Sequence, residues 1–243
     1  MVTLPAPKGL LLDYGGTLVE EISFDPQAGN IKLLSLASHV PEHVGIEEVL
    51  SRANRISNEI AHRRDEYHLE TPWPTLTRLI HEFLGIHFEC PMNELEMAFW
   101  KASVHTRPMA GVRTALEEFH RCGVPMGVVS NCSFSQEVIR YELAKYGLAD
   151  HLAFVMVSAD YSVRKPNPLL FETAAAKLGV APENIWFVGD RLDLDIEGAM
   201  SAGMKAVWLS PLDSAAVEGS ALRFASWPEI IEYFRISVSS SVI

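Results

Sequence analysis

Carboxylates, small hydrogen-bond donors and one lysine gather at the ends of short apolar runs in this 243-residue chain. The first run closes on Asp13-Tyr14-Gly15-Gly16-Thr17-Leu18, and the second on Ser130-Asn131. Lys165 follows the third run, in Val163-Arg164-Lys165-Pro166-Asn167-Pro168. The fourth closes on Gly189-Asp190-Arg191-Leu192-Asp193-Leu194-Asp195. Each alone has an ordinary structural explanation. A strand-end aspartate often caps the next helix, and Ser-Asn and Gly-Asp are turn chemistry. Four such signals in order, each at a strand end, form a set. Open parallel sheets bind ligands outside the carboxyl ends of their strands. Two carboxylates, two small donors and a lysine would then face one crevice, equipped to bind and transform a small polar ligand.

The elements that must carry these residues are legible as a pattern. Residues 9–13, 124–130, 153–157, 185–189 and 205–209 are short and nearly continuous in apolar character, as strands buried on both faces should be. Helix-length segments follow at residues 133–146, 168–178, 192–202 and 228–234, with Gly147, Gly179 and Gly203 where helix C-caps belong. The alternation predicts an α/β fold with a doubly wound, mostly parallel, Rossmann-like sheet. From residue 19 to residue 106 the rhythm stops and no strand is expected. There Ile46, Val49, Leu50, Ala53, Ile56 and Ile60 recur at helical spacing, and residues 72–84 and 92–104 read as further helices. A parallel crossover needs only about a dozen residues. The stretch is therefore expected to be an inserted all-helical cap, residues 19–106, on a core of residues 1–18 and 107–243. Residues 237–243 are expected to fray.

Composition narrows the function. Apolar residues make up 48% of the chain, enough for a sizeable core, and 20 basic against 31 acidic residues give a net charge of −11. That balance argues against a nucleic-acid partner and against docking on anionic lipid. No apolar run approaches the length of a membrane span. The N-terminal Met1-Val2-Thr3-Leu4-Pro5 shows no secretory leader, and Cys90, Cys122 and Cys132 sit at uninformative spacings. A cytoplasmic protein, monomer or homodimer, is expected. Two rival motifs fail. Asp193-x-Asp195-x-Glu197-Gly198 begins like a calcium loop but has Met204 where a bidentate Glu is required. Gly15-Gly16-Thr17 lacks the Gly-x-x-x-x-Gly-Lys of a nucleotide phosphate loop.

In order, the four segments resemble the motifs of the haloacid dehalogenase-like hydrolase superfamily. The first matches its Asp-x-Asp-Gly-Thr-Leu, the second its strand-end Ser or Thr, the third its Lys, and the fourth its Gly-Asp-x-x-x-x-Asp. The insert sits where that family carries a helical cap of its first type, and Arg107-Pro108-Met109-Ala110-Gly111-Val112 looks like the return to the core. The resemblance implies a hydrolase that takes a small phosphorylated metabolite. It implies that Asp13 attacks phosphorus and forms an aspartyl-phosphate. It further implies Mg²⁺, held by Asp13, the main-chain carbonyl of Gly15 and Asp190, with Asp195 in the metal set as the group that orients it. Gly16, Thr17, Ser130 and Asn131 would bind the phosphate, and Lys165 would neutralise both nucleophile and phosphate.

One position departs from the family. Its phosphatases carry a second Asp two residues after the nucleophile, as general acid and then base, where this chain has Gly15. General acid–base catalysis is worth about 10²–10⁴-fold, so turnover should suffer. Seven of nine histidines, among them His39, His43, His62, His81 and His105, lie in the insert and offer a substitute acid. Glu20 and Glu21 are others. The run Arg52, Arg55, His62, Arg63, Arg64 reads as a solvated, salt-bridged face, and Cys132 as packing. Two alternatives stand beside a Mg²⁺-dependent phosphatase. One is a phosphometabolite-binding protein that turns over poorly. The other is a metal-independent haloacid dehalogenase or a phosphonatase-like enzyme, for which the insert offers Lys32 and Lys101 as Schiff-base amines.

Overall fold

The structure is a computed structural model that describes residues 4–210 and 221–240. The chain starts on β1 (Gly9–Leu12) and leaves through β2 (Val19–Phe24). It then runs through α1 (Pro26–Leu34), α2 (Ile46–Tyr67), α3 (Trp73–Leu84) and α4 (Met92–Ser103), and returns on β3 (Val104–Pro108). Next come α5 (Val112–Arg121), β4 (Met126–Ser130), α6 (Gln136–Lys145), β5 (Phe154–Val157), the single turn α7 (Ser158–Tyr161) and α8 (Pro168–Leu178). The chain ends with β6 (Ile185–Gly189), α9 (Glu197–Ser201), β7 (Lys205–Leu209), β8 (Leu222–Phe224) and α10 (Trp227–Ser240).

Six strands form one sheet in the order β5-β4-β1-β6-β7-β8, and every neighbouring pair is parallel. The strand side chains alternate between two apolar layers. Leu10, Leu12, Val128, Trp186 and Val207 pack on the layer built by α5, α6 and α10. Leu11, Val129, Phe187 and Ala206 pack on the layer built by α8 and α9. Burial on both faces is why these strands read as continuous apolar runs rather than as an alternation. The chain visits β4 and β5 on one side of β1 and β6, β7 and β8 on the other, so β1 lies at the point where the strand order reverses. The crevice at the carboxyl end of β1 follows from that topology.

Three sequence expectations need correction. Strands do occur between residues 19 and 106: β2 and β3 pair antiparallel, with an irregularity between Glu21 and Ser23, and frame the helices α1 to α4. Only Val19 and Val104 in this ribbon are well buried. An exposed two-stranded ribbon has no apolar run to betray it. Residues 192–202 are not one helix: Leu192–Ile196 form a π turn before α9. Residues 237–240 continue α10, and 241–243 lie outside the described residues. Among the described residues no helix is long and apolar enough to cross a membrane.

The insert has a small apolar cluster of its own around Val44, Val49, Ile80 and Ile86. Trp73, Leu95, Phe99 and Trp100 instead continue the layer that covers the sheet. In that layer Phe119 is fully buried and meets Phe234 with ring centroids 4.4 Å apart. Phe119→Ala should cost about 3–5 kcal/mol of stability, read from the urea midpoint at unchanged slope, whereas a loss under about 1 kcal/mol would mean that α5 and α10 share no core.

Candidate active site

The loop after β1 turns at once. Asp13 N–H still donates to the Val188 carbonyl (2.9 Å), while the Leu18 and Val19 N–H groups fold back onto the Tyr14 carbonyl at 2.8 and 3.0 Å. Gly16 sits in the turn at φ 71°, and a Cβ there would lie 2.3 Å from an Asp190 carboxylate oxygen. No side chain fits. Gly15, one residue earlier, is the opposite case: a Cβ there would meet nothing within 4 Å, and its φ is not positive. The backbone does not demand glycine at that position.

Lys165 is the centre of the site. Its side chain is 2% exposed. Its ammonium donates to Asp13 Oδ1 at 2.5 Å and to the Val129 carbonyl at 2.9 Å, and it pairs with Asp195 Oδ1 at 2.6 Å. An ammonium has three protons, and three acceptors surround this one. Asp195 uses its second oxygen on the Arg191 N–H (3.1 Å), a contact made by the π turn. Gly189 leaves room for it, since a Cβ there would lie 2.5 Å from Asp195. Asn131 exchanges hydrogen bonds with the Lys165 main chain, accepting at 2.7 Å and donating at 3.0 Å. Its amide therefore braces the lysine loop.

Carboxylate oxygens of Asp13, Asp190 and Asp195 lie within 4.8 Å of one another. Three carboxylates around one ammonium leave an excess of negative charge. Burial first, and then Asp195 and Asp190, push Asp13 up to about 7 against the pull of Lys165. Burial and Asp195 likewise raise Asp190. Burial works against the charge on Lys165, but Asp13 and Asp195 more than offset it and its pKa is raised. An all-oxygen donor set with surplus negative charge fits a hard divalent cation. The carboxylates of Asp13, Asp190 and Asp195 are the groups placed to hold one, with Asp195 also paired to Lys165.

Asp13, Gly15, Ser130, Asn131, Lys165, Asp190 and Asp195 all line one cleft of about 740 Å³. Thr17 is fully buried, its carbonyl accepts from Trp227 Nε1 (2.8 Å), and neither it nor Gly16 lines the cleft. None of the insert's histidines lines it either. His81 packs on Phe88 at 4.7 Å, and burial pushes it down to about 4. Burial pushes the Cys132 thiol up to about 12, so it stays protonated. Glu20 pairs with Arg107 at 2.6 Å, while Glu21 lines the cleft. On α2 the exposed pairs Arg55–Glu59 and His62–Glu66 (3.1 and 2.7 Å) form the salt-bridged face that the sequence suggested. Lys32 and Lys101 line a separate hollow.

Sequence reasoning missed a second layer. Buried Glu70 accepts from Ser158 Oγ (2.5 Å), Arg164 and the Thr71 N–H (3.1 Å). Around it, Glu70 N–H donates to Ser162 O (3.0 Å), Arg164 N–H to His68 O (2.8 Å) and Trp73 N–H to Ser133 O (2.7 Å). The segment between α2 and α3 is thus stitched to the loop that carries Lys165. Glu70 and Arg164 are 94 residues apart, and the one hint of the pair was a charge directly beside Lys165.

A family model described as haloacid dehalogenase-like hydrolase matches residues 64–209. The phosphoserine phosphatase of Thermus thermophilus is 34% identical over 117 residues, which is 48% of this chain and 46% of that protein. The chain thus spans about half the length of that relative. The glyceraldehyde 3-phosphate phosphatase of Pyrococcus furiosus is 29% identical over 176 residues, covering 65% of this chain and 72% of that protein. Among solved structures, a HAD phosphatase from Thermococcus onnurineus superposes with a TM-score of 0.61 at 22% identity, covering 92% of this chain and 96% of that one. A 2-haloacid dehalogenase from Pseudomonas syringae pv. Tomato gives 0.63 at 21% identity, covering 97% and 99%. At these identities the likeness is one of fold.

The charge excess has a measurable sign. Folded Asp13 retains a proton that the unfolded chain, with its carboxyl near 3.8, has already released. The folded state then binds more protons than the unfolded one, so this contribution is fully present below pH about 4 and is lost as pH rises toward about 7. With divalent cations chelated, urea unfolding should show stability falling across that window, and Asp13→Asn should flatten part of the fall. An identical slope in the variant would mean that Lys165 keeps Asp13 ionised throughout.

Proposed function

The chain belongs to the haloacid dehalogenase-like hydrolase family, and from that premise we propose that it hydrolyses a small phosphomonoester through a phospho-aspartate on Asp13, with Mg²⁺ held by Asp13, the Gly15 carbonyl and Asp190. The observation that carries this reading is the buried Lys165 ammonium between Asp13 and Asp195, with Asp190 alongside. The phosphatase names of the relatives support it. In this reading residues 19–106 form a cap over a core of residues 1–18 and 107–243.

When bound, Mg²⁺ neutralises charge so that a carboxylate and a phosphate can approach each other. Lys165 fixes the Asp13 carboxylate and offsets its charge. Ser130, at the end of β4 and lining the cleft, would donate to the phosphoryl oxygens, whereas the Gly16 N–H is already bonded to the Val19 carbonyl (2.8 Å). An Asp13 oxygen bonds to phosphorus as the ester P–O bond breaks, and the leaving oxygen carries off the electron pair. Water then attacks the phosphorus of the acyl phosphate, releasing phosphate and restoring Asp13. Gly15 has no carboxyl to protonate the leaving oxygen or to activate that water. The same glycine favours a second reading, a phosphometabolite-binding protein that turns over slowly. Lys32 and Lys101 lie outside the cleft, which removes the Schiff-base amines a phosphonatase would need. Asp190 beside Asp13 adds negative charge that a metal-free attack on a haloacid carboxylate would have to overcome.

Asp190→Asn should weaken Mg²⁺ binding and phosphatase activity together. Unchanged Mg²⁺ affinity by calorimetry would remove Asp190 from the metal's ligands.

Gly15→Asp should fold normally, because its Cβ enters open space without a positive φ. It should raise alkyl phosphate turnover about 10-fold or more. The wild type should favour leaving groups of low pKa, accumulate phospho-Asp13 with aryl phosphates, and show both in single-turnover kinetics and intact mass after quenching. If Gly15→Asp gains nothing and the wild type traps no intermediate, either a residue of the insert such as Glu21, which lines the cleft, already moves the proton, or the substrate is not a phosphate ester.

A further inference from the structure

The cleft's apolar lining and its paired charges bear on what the substrate carries besides its phosphate. Besides the Asp13 cluster, the cleft is lined by the largely buried rings of Tyr14, Trp73, Phe99, Trp100 and Phe134. These rings pack on one another, with Trp73–Phe99 at 5.1 Å, Trp73–Phe134 at 5.8 Å and Trp100–Phe134 at 4.9 Å. Leu76 and Ile80 of α3 extend the apolar surface.

The cations tell the same story. The basic side chains that line the cleft are Arg64, Arg164, Lys165 and Arg191. Each already faces a carboxylate: Arg64 on Asp65 (2.8 Å), Arg164 on Glu70, Lys165 on Asp13 and Asp195, and Arg191 on Asp193 (3.0 Å). Arg164 and Lys165 are held by buried carboxylates, so a second anionic group beside the Asp13 cluster would have to break one of those pairs or be buried unpaired, which is costly; only the solvent-exposed, water-screened pairs of Arg64 and Arg191 could be exchanged cheaply. Two anchors of another kind are also occupied. Asn30 donates to Pro26 O (2.8 Å), and Thr106 is engaged by Glu142 and Tyr146.

We propose that the substrate is an aryl, or comparably bulky apolar, monophosphate with no carboxylate or second phosphate. The proposal rests on the phosphatase reading above and narrows it. The volume of about 740 Å³ suits a ligand of drug-like size rather than a two- or three-carbon acid. Gly15 points the same way by an independent route, since an aryloxide leaves without the proton that an alkoxide needs. The phosphatase relatives named for phosphoserine and phosphoglycolate are named for carboxylate-bearing compounds. On this proposal the chain parts from them in substrate.

The test uses stable phosphonates, so that turnover and leaving-group pKa do not enter. Methylphosphonate, phenylphosphonate, 1-naphthylphosphonate and phosphonoacetate are titrated into the full chain with Mg²⁺ by calorimetry. Phenylphosphonate should bind about tenfold or more tightly than methylphosphonate, from the apolar area it buries. Naphthylphosphonate should bind more tightly still, and phosphonoacetate no better than methylphosphonate. Leu76→Arg, which puts an added cation on the apolar wall, should weaken the aryl compounds and strengthen phosphonoacetate. The wild-type series decides by itself if that variant misfolds. Phosphonoacetate equal to or tighter than phenylphosphonate would overturn the proposal and leave the phosphatase reading standing. If no phosphonate and no inorganic phosphate binds with Mg²⁺, the phosphatase reading fails, and the proposal with it.

Discussion

A buried ammonium is the constraint on which the site depends. Lys165 is almost wholly removed from water, and a lone charge there would cost several kcal/mol. It is tolerated because three acceptors converge on it from separate parts of the fold: Asp13 after β1, the Val129 carbonyl in β4, and Asp195 in the π turn after β6. Remove any one and a proton of the buried ammonium is left without an acceptor. The lysine thus reports that the sheet, the loop after β5 and the turn after β6 are correctly assembled. It also leaves the site short of positive charge, since one ammonium faces three carboxylates. The chemistry of the cleft follows from that imbalance.

Adjacent glycines in the first loop illustrate two different physical demands. Gly16 is compelled by a left-handed backbone and by Asp190 pressed against its α-carbon. Gly15 is compelled by neither. A glycine that the backbone does not require has its effect through the side chain it lacks. A side chain at position 15 would enter the open cleft, and on the proposed phosphatase reading its absence bears on proton transfer.

The insert meets the core at more than the β2–β3 ribbon. Residues 68–73 bond to residues 133 and 162–164 through main-chain hydrogen bonds, and Glu70 seals the junction with Ser158 and Arg164. Lys165 comes next, with its own main chain held by Asn131. The position of the insert and the position of the buried lysine are therefore linked through a few consecutive residues. Glu96 of α4 makes a third link by accepting from both the N–H and the hydroxyl of Ser135 (2.9 and 2.6 Å) at the start of α6.

The sequence alone determined the parallel sheet, the helices around it and the strand-end cluster. Burial on both faces writes strands as continuous apolar runs, and strand-end polar residues stand next to those runs in the chain. That residue 15 is glycine is likewise a matter of residue identity, while the expectation of a carboxylate there came from the family resemblance. Tertiary structure alone decided the rest. The β2–β3 ribbon is mostly exposed and has no hydrophobic period to read. The π turn depends on where Asp195 must reach. Thr17 left the cleft and Asn131 became a brace because side-chain direction is set by packing, not by motif. The histidines of the insert do not line the cleft, and Glu70 proved to be joined to Arg164 across 94 residues. Local pattern reports which face of an element is buried. It carries no information on which distant side chain will arrive opposite, since that is fixed only when the layers close on each other.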